Sequence, residues 1–185
     1  MLDLRNIDNT WTLFLDRDGV LNHDKVGSYI FNVSEFRFYD GVLDALKICN
    51  RVFGNIVIVT NQRGVGRGLM SELDLMDIHN AMLQQVEAAG GRIDAIYYAT
   101  SLDNDHPERK PHRGMALKAQ ADFAEIDFSK SIMVGNNISD MEFGRNAGMH
   151  TVFMLTTQPD LPLPHPAIDL AYKSLLKFAA ALPVT

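Results

Sequence analysis

The stretch "FLDRDGVLNHD", residues 14–24, sets two aspartates, Asp16 and Asp18, two positions apart at the end of an apolar run and follows them at once with glycine. Taken alone, D-x-D-G has the composition of a turn, because Asp bonds its own backbone and Gly tolerates positive φ. Two carboxylates at i and i+2 of an extended segment point the same way, and a turn at Gly19 swings the second over the first. One is then placed to attack and the other to handle protons. A carboxylate that displaces at phosphorus gives an aspartyl phosphate, which divides a difficult hydrolysis into two easier steps. The proton-handling group needs a raised pKa, and the nucleophile must stay ionised beside a cation.

Three further clusters supply the remaining parts. Phosphoryl transfer needs positive charge on the equatorial oxygens, from Mg²⁺ and a lysine, and Lys110 stands in "RKP", residues 109–111. Thr60, with the backbone N–H groups that follow it at Asn61, offers hydrogen bonds to phosphate. Asn136 and Asp140, in "VGNNISD", carry oxygen ligands suited to a hard cation.

The elements that must position these residues are short β-branched and apolar runs, residues 11–15, 55–60, 93–98, 131–135 and 150–155, each reading as a strand buried on both faces. Helical patterns lie between most of them, at residues 41–53, 72–89, 114–123 and 140–147. Ser71 is placed to cap the second, and Gly90 and Gly91 to end it. A last short strand at 168–172 and a helix from Ser174 to Leu182 follow the proline-rich "PDLPLPHP". Alternation of this kind predicts a three-layer α/β/α, Rossmann-like fold around a central, mainly parallel sheet, in one domain over residues 1–185. In such sheets a ligand sits outside the carboxyl ends of the strands, and all four polar clusters fall at or just beyond those ends.

Composition narrows the partners. A net charge of −6 argues against a general nucleic-acid or anionic-membrane binder, either of which needs a basic face. The opening "MLDLRNIDNTW" lacks a basic-then-apolar signal pattern, so the expected location is the cytoplasm and the expected state a monomer. With one cysteine there is neither a disulfide framework nor a cysteine-based zinc site, and Cys49 reads as a buried apolar residue. "GVGRG", residues 64–68, lacks the lysine of a nucleotide-binding loop and reads as a substrate-facing loop. The aromatic stretch 28–41 reads as packing, with Tyr29 or Phe31 near substrate, and His79, His150 and His165 as surface or satisfied structural residues.

In order along the chain, "LDRDG", "VIVTNQ", "RKP" and "VGNNISD" resemble the motifs of the haloacid dehalogenase (HAD) superfamily of phosphohydrolases. "FLDRDGVLN", "VTNQRGVGRG" and "RKPHRGM" are similar to its histidinol phosphatase and heptose bisphosphate phosphatase branch. The resemblance implies a Mg²⁺-dependent phosphatase without a large cap domain, acting on a small phosphorylated metabolite. It gives Asp16 as nucleophile, Asp18 as acid/base with its carbonyl toward Mg²⁺, Thr60 and Lys110 as phosphate ligands, Asn136 as metal ligand, and Asp140 as support for Lys110 or the metal.

Two departures bear on the cofactor. Asn136 stands where the family usually has Asp, so a charged metal ligand is replaced by a neutral one. The branch often carries a Cys/His zinc clip before the lysine, whereas "YYATSLDNDHPERKP" has no cysteine, so no zinc is expected. Arg63, Arg67, Arg109 and Arg113 in the loops favour a substrate with a second phosphate, held by Arg109 and Arg67. The expectation is therefore removal of the 7-phosphate of D-glycero-D-manno-heptose 1,7-bisphosphate. Histidinol phosphate, phosphoryl transfer to another sugar, and a catalytically weakened phosphate-binding module are the alternatives.

Overall fold

Six parallel strands form one sheet in the order β3-β2-β1-β4-β5-β6 in the computed structural model, which describes residues 2–183. They are β1 (Thr12–Leu15), β2 (Asn55–Asn61), β3 (Ala95–Ala99), β4 (Ser131–Gly135), β5 (His150–Met154) and β6 (Leu170–Tyr172). The crossovers carry α1 (Val42–Val52), α2 (Arg63–Gly66), α3 (Glu72–Ala88), α4 (Gly114–Asp122) and α5 (Ile138–Ala147), and α6 (Leu175–Ala179) closes the chain's described part. Sequence order thus reverses direction on either side of β1, and a crevice at the carboxyl ends of β1 and β4 follows from that topology.

Alternation along the strands sorts side chains onto two cores. Leu13, Leu15, Ile56, Ile58, Ile132 and Val134 face the side covered by α1, α3 and α6. Phe14, Val57, Val59, Met133 and Phe153 face the other, covered by α4 and α5. Cys49 is buried in the first of these cores, as its helical spacing predicts. The expectation that every strand is buried on both faces fails at β3, where Ala99 is buried and Ala95 to Tyr98 are half-buried. β3 is an edge strand, and amphipathic Tyr97 and Tyr98, on its two faces, suit surroundings that are partly wet.

Local chemistry fixes where the long crossover begins. Ser71 Oγ accepts the Asp74 N–H at 3.1 Å while the Asp74 carboxylate accepts the Ser71 N–H at 2.8 Å, a reciprocal cap that starts α3. Between β1 and α1, residues 16–41 make an irregular excursion with one 3-10 turn at Val33–Glu35. Among the described residues no helix is long and apolar enough to cross a membrane.

Candidate active site

Strand register brings the site residues level with one another. Leu15 pairs with Ile58 on one side and Val134 on the other, so the next residue, Asp16, lies beside Val59 and Gly135. Its N–H extends the ladder to the Val134 carbonyl at 2.9 Å. Thr60 and Asn136 follow one position further on, and a cleft of about 210 Å³ opens here, with Asp16, Asp18, Thr60, Lys110 and Asn136 in its wall.

Lys110 is buried, and its ammonium is divided among Asp16 Oδ1 at 2.9 Å, Asp140 Oδ1 at 2.7 Å and the Val59 carbonyl at 2.8 Å. Burial opposes its charge, but Asp140 and Asp16 outweigh that and raise its pKa above the ordinary lysine value. Burial pushes the Asp16 carboxyl up to about 7; Lys110 pulls the other way, and Asp140 adds to the rise. One ammonium shared between two carboxylates leaves Asp16 short of positive charge. Asp140 is fully engaged: its Oδ2 accepts the N–H groups of Asn136 and Asn137 at 3.1 and 3.0 Å, and its Oδ1 holds Lys110. Of the two roles expected for it, the geometry gives support of the lysine. A Cβ at Gly135 would fall 2.2 Å from the Asp140 Cβ, so a glycine at the end of β4 is what lets α5 come this close.

Asp18 belongs to a second network. Arg17 places its Nη2 on Asp18 Oδ2 at 2.9 Å and its Nε on Asp18 Oδ1 at 3.2 Å, Asn22 Nδ2 donates to Oδ1 at 2.8 Å, and Gln62 Nε2 donates to Oδ2 at 2.9 Å. Burial opposes ionisation of Asp18, but Arg17 foremost, then Asn22 and Gln62, hold its carboxyl below the usual range. The same Gln62 amide donates to Thr60 Oγ1 at 3.0 Å, which uses the hydroxyl as acceptor and leaves its proton to donate elsewhere. Arg17 also donates Nη1 to His79 Nε2 at 3.1 Å, and burial together with the adjacent guanidinium lowers the His79 pKa to about 3. Composition offered no sign that Arg17 lies inside, whereas His79 is buried and hydrogen-bonded, the second of the two readings expected for it. Gln62 was visible only as a neighbour of Thr60 in "VIVTNQ".

The residues present fit a magnesium ion. Asn136 Oδ1 is buried without a hydrogen-bond partner, while the other end of its amide donates to Thr157 Oγ1 at 2.8 Å. That amide packs against the Asp18–Gly19 turn, since a Cβ built on Gly19 would meet Asn136 Oδ1 at 2.9 Å. The N–H groups of Val20, Leu21 and Asn22 take the Arg17 carbonyl and that of Gly19 takes the Asn22 carbonyl. A carboxylate at Asp16, an orphaned amide oxygen at Asn136 and the Asp18 carbonyl are a hard-oxygen set suited to that cation.

Of the remaining candidates Asn61 lines the same cleft, and the four loop arginines lie outside its lining. Asn61 uses its side chain on the backbone of Lys110, donating to the carbonyl at 3.2 Å and accepting the N–H at 3.1 Å. Arg67 is exposed and stacks over Tyr29, 5.7 Å from the ring centroid, and Tyr29 itself lines the cleft. Arg109 has a buried Nη1 without a partner, and burial and the neighbouring Arg63 lower its pKa. Arg63 ties two loops together by donating to the Leu102 carbonyl at 3.0 Å, and Arg113 is exposed at the start of α4. Asp24 lines the cleft mouth as well.

A parallel α/β sheet in this strand order, with these four clusters at its carboxyl ends, defines a phosphohydrolase of the haloacid dehalogenase class. The HAD-hydrolase-like family model matches residues 108–175. The D-glycero-alpha-D-manno-heptose-1,7-bisphosphate 7-phosphatase of Campylobacter jejuni is 36% identical over 149 residues, 80% of this chain and 84% of its own. The D-glycero-beta-D-manno-heptose-1,7-bisphosphate 7-phosphatase of Escherichia coli K12 is 33% identical over 92% of each chain. Among solved structures, the D,D-heptose 1,7-bisphosphate phosphatase of B. bronchiseptica, complexed with magnesium and phosphate, superposes with a TM-score of 0.82 at 25% identity, over 92% of this chain and 96% of its own. The chain belongs to the HAD superfamily, in the family that these heptose bisphosphate phosphatases make up.

Proposed function

We propose that this protein is a D-glycero-D-manno-heptose 1,7-bisphosphate 7-phosphatase that works through an aspartyl phosphate at Asp16. The observation that carries the chemistry is the arrangement of Asp16: Oδ1 is held by Lys110 at 2.9 Å and by the Arg17 N–H at 2.8 Å, which leaves the second oxygen for attack. That oxygen would displace at phosphorus and expel the sugar alkoxide. Asp18 would give the alkoxide a proton, then take one from the water that opens the acyl phosphate. Thr60, through its free hydroxyl proton, and Lys110 would hold the transferring oxygens.

Mg²⁺, bound by Asp16, Asn136 Oδ1 and the Asp18 carbonyl, would neutralise charge on the phosphoryl group. Because Asp18 is held ionised by Arg17, it has to leave that contact and gain a proton before it can act as the acid. The second phosphate would find its cations around Tyr29, where Arg109 Nη1 is buried without a partner and Arg67 lies over the ring. The reading also has the enzyme free of zinc and monomeric.

One feature favours histidinol phosphate instead: Asp24 at the cleft mouth is a carboxylate that an ammonium group would find. Comparing kcat/KM for the two substrates, in wild type and in Arg109→Ala, decides between them. Preference for the bisphosphate, weakened selectively by the substitution, supports the reading. Preference for histidinol phosphate, or equal loss of both, overturns it.

A further inference from the structure

We propose that His79, on α3, is a positioning residue for the acid/base Asp18, acting through the buried guanidinium of Arg17. The inference rests on the phosphatase reading of Asp18, but the geometry behind it stands by itself. Arg17 is fully buried, and a guanidinium with no access to water must place its N–H groups on protein acceptors. Asp18 takes Nε and Nη2, Gln62 Oε1 takes Nη2 at 3.2 Å, and His79 Nε2 takes Nη1 at 3.1 Å.

The chemistry of the imidazole is what suits the place. Its Nε2 accepts, so its proton sits on Nδ1 and the ring is neutral. A carboxylate at position 79 would compete with Asp18 for the arginine's charge, and an apolar side chain would leave Nη1 buried and unpaired. A neutral acceptor satisfies Nη1 while leaving the charge of Arg17 to Asp18. The Tyr98 ring, tilted at 57° with its centroid 5.9 Å from that of the imidazole, packs beside it. Residue 79 is thus a stop behind Arg17, and Arg17 fixes where the Asp18 carboxylate rests between turnovers.

Gln and Asn separate this role from mere packing, because a glutamine amide oxygen reaches the place of Nε2 and an asparagine oxygen does not. With a phosphate monoester as substrate, His79→Asn should lower kcat about tenfold with KM within about twofold, and His79→Gln should keep kcat within about twofold of wild type. Equal kcat in the two variants, or a loss confined to KM, overturns the proposal. Thermal melts confirm that both variants are folded under assay conditions. If the wild type hydrolyses no monoester, the phosphatase reading falls, and crystal structures of the variants still decide the positioning. Asp18 should keep its contact with Arg17 in His79→Gln and lose it in His79→Asn, and an unmoved Asp18 in both overturns the proposal.

Discussion

Asn61 and Lys110 hold each other by a reciprocal pair of hydrogen bonds, the Asn61 amide donating to the Lys110 carbonyl at 3.2 Å and accepting the Lys110 N–H at 3.1 Å. The end of β2 is thereby fastened to the loop that carries the phosphate-binding lysine. Loss of both bonds in Asn61→Ala should cost about 1 to 3 kcal/mol of stability, read from urea unfolding. It should also weaken competitive inhibition by inorganic phosphate, because Lys110 is no longer held at its backbone.

Asp16→Asn should abolish turnover and leave the fold intact, since an amide is a poor nucleophile and Lys110 keeps Asp140 as its partner. Asp18→Asn should instead slow both the formation and the hydrolysis of the intermediate. Rapid-quench measurement of phosphate release and of covalently labelled protein separates the two. Near-normal hydrolysis by Asp16→Asn would refute the covalent route.

Much of this site was legible in the sequence because residue type and strand end together narrow the choices. Asp16, Thr60, Lys110 and Asn136 line one cleft, as their places after apolar runs predict. Arg17 was not legible: an arginine between two aspartates reads as a solvated charge, and its burial depends on Gln62 and His79, which lie 45 and 62 positions away. Thr157 was missed for a similar reason, since its hold on the Asn136 amide comes from a loop after β5 that carries no motif. The half-exposure of β3 depends on strand order, which hydrophobicity alone does not encode.

Asn136→Asp should lower the Mg²⁺ concentration for half-maximal activity about fivefold, a gain of about 1 kcal/mol from a charged ligand. Calorimetric titration of Mg²⁺ should shift in the same direction without any substrate present. An unchanged titration would mean that residue 136 does not touch the metal.

His79 makes stability depend on pH in a direction that can be worked out. Its folded pKa, lowered by burial and Arg17 from 6.5 to about 3, means that between those values the unfolded chain binds the extra proton. Stability from this group is therefore present above pH 6.5 and lost as pH falls toward 3. Asp16, with its folded value raised by burial to about 7, works in the opposite sense over 3.8 to 7. That contribution is common to wild type and His79→Gln and cancels in their difference. Urea unfolding of the two proteins from pH 7.5 down to 4.5 should show the wild type losing more stability; parallel curves would contradict a buried neutral imidazole.

Gly19 has two separate reasons to lack a side chain: its φ is +86°, and the space a Cβ would fill holds the Asn136 amide, whose nitrogen would be 2.1 Å away. Shrinking residue 136 removes the second obstacle and leaves the first, because a left-handed backbone strains any side chain. Evolution therefore meets a one-way dependence between the two sites. Sterically, position 136 accepts a side chain of the same size that keeps an oxygen for the metal, such as aspartate, while residue 19 stays glycine, but no change at 136 opens residue 19 to alanine.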